Sequence, residues 1–251
     1  MSIESQLKAL VGPEPAGLSE SVALGTGLVD GYDLYDSPVG TVAIAFNPMG
    51  VSSVDLTDGF EDRFHHRFDR LVVRAEAPSA WGSRISEALE RGTPGKLPID
   101  YRSVTPFQRE VLEKTASIPQ GEVRPYGWVA KEVDRPKAVR AVGSAVARNP
   151  VPLIGPCHRV VRSDGHVGNY SLGGPANKHS LLRLEGADPA WLENLAAAHV
   201  RVRANKSTGI FCHPTCRAIR RSKETNVVDF RSAESAAQEG YVPCLLCRPS
   251  G

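Results

Sequence analysis

The sequence predicts an α+β fold in three parts: a small N-terminal α+β unit, a unit containing a helix-turn-helix, and a small cysteine-rich module at the C-terminal end. Three observations carry this. Short β-branched segments separated by Pro and Gly fall before residue 60. Helix-period segments with cap signals occupy 80–150, and four of the five cysteines form two close pairs after residue 210.

Taken in order, residues 1–30 mix Gly and Ser with apolar residues and predict irregular chain or a loose helix, an N-terminal extension. Residues 32–35, the turn Ser37-Pro38-Val39-Gly40 and residues 41–46 read as strand, turn, strand, and 51–56 as a third strand. Trp81, Ile85, Ala88 and Leu89 recur at helical spacing, and Gly92 ends that helix. Residues 31–100 therefore form the small α+β unit. Thr105-Pro106 supplies an N-cap with Pro at the first helical position, and Phe107, Val111 and Leu112 fit one helical face. Short helices over 128–133 and 137–148, with a turn at Asp134-Arg135-Pro136, form the helix-turn-helix. The second carries Lys137, Arg140 and Arg148 among the small residues Ala138, Ala141, Gly143, Ser144 and Ala145. Small side chains suit a helix that enters a groove, and equally one packed against a neighbouring helix. Residues 101–186 make this second unit, 187–205 a linker with a short helix (Trp191, Leu192, Leu195), and 206–251 the terminal module.

The net charge of +2 hides an asymmetry: −7 over 1–100, +6 over 101–186, −2 over 187–200 and +5 over 201–251. A basic later portion beside an acidic first portion favours a polyanionic partner such as nucleic acid. No apolar run approaches the ~20 residues a membrane span needs, and the first ten residues lack the layout of a secretory signal. A cytoplasmic monomer is expected, nucleoid-associated in a bacterium.

Cys157 stands alone beside His158. A thiolate is the reactive form of cysteine, and a neighbouring imidazole can take its proton. A carboxylate farther along, such as Glu185, can orient that imidazole. A buried structural cysteine is the other reading of the pair alone.

The wider pattern decides between them. Thr105-Pro106-Phe107-Gln108, Ile118-Pro119-Gln120-Gly121-Glu122-Val123, Arg140-Ala141-Val142-Gly143 and Pro156-Cys157-His158-Arg159-Val160-Val161 resemble the O6-alkylguanine-DNA alkyltransferase family. Gly168-Asn169-Tyr170-Ser171 and Lys178 through Leu181-Leu182 to Glu185-Gly186 extend the resemblance. Asp36-Ser37-Pro38-Val39-Gly40 resembles the family's N-terminal domain more weakly.

The resemblance implies irreversible, single-turnover transfer of an alkyl group from O6-alkylguanine, with O4-alkylthymine a second substrate, to Cys157. His158 would deprotonate the thiol through a water held by the protein, Glu185 would hold His158, and Asn149 would brace the turn before the active-site strand. Tyr126 would turn the nucleotide outward and hydrogen-bond the guanine. Arg140 would enter the stack, with Lys137, Ala138, Ala141, Gly143 and Arg148 along the minor groove of double-stranded alkylated DNA. Tyr170, Ser171, Lys178 and Val160 would line the alkyl pocket. Gly155 stands where the family usually has an aliphatic residue, Pro125 where Thr or Ser is usual, and the loop Ser171-Leu172-Gly173-Gly174 is one residue longer. These departures bear on the pocket, and a non-repairing lesion sensor or DNA-binding regulator is the alternative they leave open.

Cys212-x3-Cys216 and Cys244-x2-Cys247, 27 residues apart, are the spacing of a four-sulfur site for one Zn²⁺. About fifty residues build little core, so the ion would also stabilise the fold. A purely structural zinc finger is one reading. The string Gly209-Ile210-Phe211-Cys212-His213-Pro214-Thr215-Cys216-Arg217-Ala218, followed by Gly240-Tyr241-Val242-Pro243-Cys244, resembles the metal-binding domain of Ada. That resemblance implies DNA binding, with Arg217, Arg220, Arg221 and Lys223 on phosphates, and methyl transfer from a methylphosphotriester to Cys212.

Overall fold

The computed structural model describes residues 18–249. It begins with helix α1 (Leu18–Thr26), so the later part of the extension is helical and residues 1–17 lie outside the described residues. Strands β1 (Asp30–Tyr35), β2 (Val42–Asn47) and β3 (Gly50–Leu56) form an antiparallel meander close to the expected positions. Two elements were not anticipated: helix α2 (Phe60–Phe68) and the edge strand β4 (Val72–Arg74), parallel to β1, which completes the order β3-β2-β1-β4.

Strand β2 shows why one sheet serves two cores. Its side chains alternate in direction, so Ala43 and Ala45 meet Phe60 and Phe64 of α2, while Val42 and Ile44 face the other way. The small alanines leave room for an aromatic file: Tyr32, Phe60, Phe64 and Phe68 stack in sequence with ring centroids 5.1, 5.8 and 4.8 Å apart. On the opposite face Val42 and Ile44 join Ile85, Ala88 and Leu89 of helix α3 (Ser79–Arg91). That cluster runs on without a break into Val111, Val129, Val142, Ile154 and Cys157. The N-terminal sheet and the Cys157 region thus share one core.

Helix α4 (Pro106–Ala116) starts as expected: the Thr105 side chain accepts from the Gln108 N–H at 3.2 Å, a cap that typically contributes ~1 kcal/mol. Strand β5 (Arg124–Pro125) leads directly into α5 (Tyr126–Glu132), and α6 (Val139–Ala147) follows the turn. Both helices differ from the sequence reading by about one turn or less. α5 begins two residues earlier, because Pro125 presets an extended N-cap. α6 begins two residues later and ends one earlier, so Lys137 precedes it and Ala138 and Arg148 cap it. Val142, Ala145 and Val146 of α6 are buried, and Arg140, Ala141 and Ser144 are exposed. Cys157–Arg159 form one 3-10 turn that enters β6 (Val160–Val161), paired in parallel with β5. Helix α7 (Gly174–Leu184) closes this part.

Residues 187–205, expected as a linker with a short helix, carry that helix and also a strand. Helix α8 (Pro189–Ala197) is capped by Asp188 and buries Leu192 against Val123, Val161, Val167 and Leu182. Strand β7 (Val202–Asn205) is an inner strand of the second sheet, which also contains β8 (Ile210–Cys212), β9 (Val227–Phe230) and β10 (Val242–Pro243) in the order β10-β8-β7-β9. The sequence reading missed β7 because four residues with a central Arg203 carry no visible alternation. Arg203 is held by Asp229 at 2.6 Å and Glu224 at 2.7 Å. Helices α9 (Arg217–Arg220) and α10 (Ala233–Gln238) pack on this sheet. No helix among the described residues is long and apolar enough to cross a membrane.

Candidate active site and metal centre

The parallel β5–β6 pair brings two distant segments together: Tyr126 just after β5 and Cys157 just before β6. The loop leading to Cys157 is fixed by Asn149. Its Nδ2 donates to the Gly155 carbonyl at 2.7 Å, and its Oδ1 accepts from the Val151 N–H at 3.0 Å. Gly155 has a physical reason here. A Cβ at this position would lie 3.0 Å from Asn149 Nδ2 and 3.3 Å from the Val151 carbonyl, so the missing side chain lets Asn149 close the turn rather than widening a pocket.

Cys157 is 3 % exposed. Burial raises its thiol pKa, while Asn149, Lys178 and Tyr170 favour the thiolate and oppose that rise. His158 is buried too, and burial lowers its pKa against the pull of Glu185, so the imidazole is neutral near pH 7. Its Nε2 lies 2.9 Å from Glu185 Oε1. Burial alone would raise the Glu185 pKa, but hydrogen bonds and charge from His158 and Arg159 outweigh it and hold it at about 2. Glu185 is therefore a carboxylate, Nε2–H is the donor, and Nδ1 keeps its lone pair. That Nδ1 is buried and has no hydrogen-bond partner.

Arg159 is the residue that sequence reasoning missed. It is 2 % exposed. It donates to Glu185 from Nε at 2.9 Å and Nη2 at 2.6 Å, and to the carbonyls of Ile118 and Arg91. The Cys-His-Arg string signalled its presence, but nothing in the sequence marked an arginine as buried. Lys178 Nζ donates to the Val160 carbonyl at 2.7 Å and the Asn169 carbonyl at 3.3 Å, tying β6 to the loop that carries Tyr170. Burial lowers its pKa to about 8.

The remaining expected residues divide. Tyr170 is buried, edge-on to His158 at 6.1 Å between rings, and Tyr126 is half-buried within the field of Cys157. Val160 is fully buried in the shared core, whereas Ser171 is exposed. Lys137, Arg140, Ala141 and Arg148 lie on the exposed side of the helix-turn-helix, with Ala138 and Gly143 half-buried beside them.

Cys212, Cys216, Cys244 and Cys247 are all buried, and their sulfurs lie within 4.8 Å of one another. None is in a disulfide. The backbone N–H of His213 points at Cys247 Sγ at 3.4 Å. Hydrogen bonds from Cys212 and Cys247 lower the Cys216 thiol pKa strongly. Four converging, buried sulfurs fit one tetrahedral Zn²⁺. Cys212 and Cys244 line a groove of about 600 Å³ walled by Ile210, Val242, Leu245 and Leu246, whereas Cys216 and Cys247 are wholly buried and do not line it. Of the four basic residues expected on phosphates, Arg220 is instead engaged within the protein.

Residues 106–187 match the model of the 6-O-methylguanine DNA methyltransferase DNA-binding domain, and 193–250 that of the metal-binding domain of Ada. A methylated-DNA–protein-cysteine methyltransferase of Methanosarcina acetivorans is 34% identical over 166 residues, covering 62% of this chain and 98% of that protein. The chain belongs to the methylated-DNA–protein-cysteine methyltransferase family. Like others of this family it is a DNA-repair enzyme that transfers an alkyl group to cysteine, and it binds DNA. The bifunctional transcriptional activator/DNA repair enzyme Ada of Escherichia coli is 35% identical over 167 residues, 64% of this chain but 47% of that one. Among solved structures, the Mycobacterium tuberculosis O6-methylguanine methyltransferase superposes with a TM-score of 0.52 at 31% identity, covering 62% of this chain and 92% of that one. The same bacterium's protein in complex with DNA gives 0.51 at 31%, covering 66% and 98%. These methyltransferase structures share the mixed helix-and-sheet fold described above.

Proposed function

We propose that Cys157 is the acceptor and that the substrate is O6-alkylguanine in double-stranded DNA, with O4-alkylthymine a second substrate. The observation that carries this reading is the orphaned, buried Nδ1 of His158, whose other nitrogen is committed to Glu185. A neutral imidazole in that tautomer can take only one proton, on Nδ1, and the thiol of the preceding residue has a raised pKa and needs such a base. The Cys157 sulfur attacks the alkyl carbon, a C–S bond forms and the C–O6 bond breaks. The proton that left the thiol returns to the guanine, which leaves unalkylated. The thioether has no route back, so each molecule reacts once.

The target atom lies inside the duplex, so the base must leave the stack, at a cost of a few kcal/mol. Arg140, exposed on α6 beside Ala141 and Ser144, would fill the gap from the minor groove. Tyr126 would hydrogen-bond the flipped guanine, and Tyr170 and Lys178 would hold the pocket wall. The protein would act as a monomer. We place its working units at 31–100, 101–186 and a zinc module from β7 to the end of the chain. Zn²⁺ held by the four cysteines would supply charge neutralisation of the thiolates. We further propose that Cys212, which faces the groove, accepts methyl from a methylphosphotriester.

Peptide mass spectrometry of the zinc-loaded chain tests both. After incubation with O6-methylguanine DNA, the Cys157 peptide gains one methylene. After incubation with methylphosphotriester DNA, the Cys212 peptide does. Tight binding with no gain on either peptide would replace repair by lesion sensing.

A further inference from the structure

Two side chains of the zinc module reach into the segment that holds Glu185. Thr215, between Cys212 and Cys216, is 1 % exposed. Its Oγ1 accepts from the Val123 N–H at 2.8 Å and donates to the Val123 carbonyl at 3.3 Å. Arg220 of α9 donates from Nη1 to the carbonyls of Gly121 and Gly186, each at 3.2 Å. Gly121 in turn donates its N–H to Glu185 Oε2 at 3.1 Å. Gly121 has φ +73°, and a Cβ there would sit 2.4 Å from the Glu185 carbonyl, so the approach requires glycine. On either side, the Arg217 N–H donates to Glu122 Oε1 at 3.0 Å and Trp128 Nε1 to the Cys247 carbonyl at 2.9 Å.

We propose that Thr215 and Arg220 are positioning residues for alkyl transfer at Cys157. They grip residues 121–123 and 186, fix Glu185 between them, and through Glu185 set the orientation of His158. Neither reaches the sulfur. The proposal rests on the reading of His158 as base and Glu185 as its partner. The physical ground is that Glu185 sits at the end of α7, where Leu184 beside it is solvent-exposed and Gly186 follows at φ +83°. Such a chain end moves unless its backbone is tied, and small displacements of a positioning group are costly to catalysis. His158 and Arg159 hold the Glu185 carboxylate, and the zinc module adds ties to the flanking backbone at Gly121, Val123 and Gly186, so a module that follows the repair site in the chain helps to complete it.

The charged and titratable groups around His158 are Glu185, Arg159 and Lys178, with the Tyr170 ring edge-on and Cys157 next in the chain. A slackened Glu185 makes the imidazole a poorer acceptor for the thiol proton. Its pKa falls further, so the ascending limb of the pH–rate profile, where the base loses its proton, moves to lower pH.

The test is single-turnover alkylation of the full-length, zinc-loaded chain by O6-methylguanine DNA, followed by mass at several pH values. Thr215→Val and Arg220→Ala are expected to slow transfer about 5- to 50-fold, less than the ~100-fold or more that follows loss of an acid–base partner itself. DNA affinity should hold, and the ascending limb should shift downward in pH. Arg220→Lys should recover part of the rate. If Thr215→Val fails to fold, Arg220→Ala, altered at an exposed residue, decides alone. Wild-type rates and profile overturn the proposal, as does a loss of amplitude with lowered melting temperature and an unmoved limb. Glu185→Gln separates the two readings. If it also reacts at the wild-type rate, the role of Glu185 falls; if it alone is slow, only the positioning role of Thr215 and Arg220 falls.

Discussion

The protein buries cysteines in two places and solves the same problem in opposite ways. At Cys157 one sulfur is surrounded by an asparagine, a lysine and a tyrosine, and burial favours the thiol. At the C-terminal site four sulfurs crowd within 4.8 Å, an arrangement that favours thiolates once a cation is shared among them. A lone buried sulfur stays protonated until a base takes its proton, so its reactivity is released on demand. A clustered sulfur depends on its neighbours for both charge and structure. The difference is between a nucleophile guarded by desolvation and one guarded by coordination.

Substitutions at the two sites should separate these logics. Cys157→Ser is expected to abolish transfer from O6-methylguanine DNA while leaving circular dichroism and zinc content unchanged. Any remaining gain of mass from that substrate would move the acceptor elsewhere. Cys244→Ala should lower bound zinc from one ion toward none, measured by metal analysis. It should also lower the melting temperature, because the second sheet and its small core lose their anchor. Glu185→Gln should slow Cys157 alkylation by about 100-fold with the zinc site intact.

Acid should unfold the protein through the Cys157 side first. His158 has a folded pKa below its ordinary 6.5, and Glu185 about 2 against an ordinary 4.5, so the unfolded state binds more protons in both windows. Stability present at neutral pH is lost as pH falls below 6.5, and again as it falls from 4.5 toward 2. In Glu185→Gln the second loss should flatten, as followed by thermal melts against pH. Gly155→Ala carries the smallest expected effect. Crowding the Asn149 amide should cost about 1 kcal/mol, read as a small drop in melting temperature.

Much of this was legible in the sequence. The meander, the Thr105 cap, the Gly92 stop and both cysteine pairs were written locally, within a few residues of each feature. What escaped depends on partners far away. Helix α2 has Phe60, Phe64 and Phe68 at a clean spacing of four, but His and Arg between them masked the stripe. Lys137 and Ala138 fell outside α6 because the turn, not helix propensity, sets its start. Nothing local marked Arg159 as buried, because Glu185, Ile118 and Arg91, which close around it, lie far away in the chain. The docking of the zinc module was invisible, since Thr215 and Val123 are 92 residues apart in the chain.

The bond from Trp128 to the Cys247 carbonyl has an optical consequence. Trp128 is one of three tryptophans and is 6 % exposed, while Trp81 and Trp191 are half-buried. Its indole is packed in the core that contains Cys157 and hydrogen-bonded to a peptide group of a zinc-binding cysteine. Separation of the module would strip that bond and admit water to the ring. The emission of this indole would then move to longer wavelength, giving the chain a built-in fluorescent gauge of its own docking.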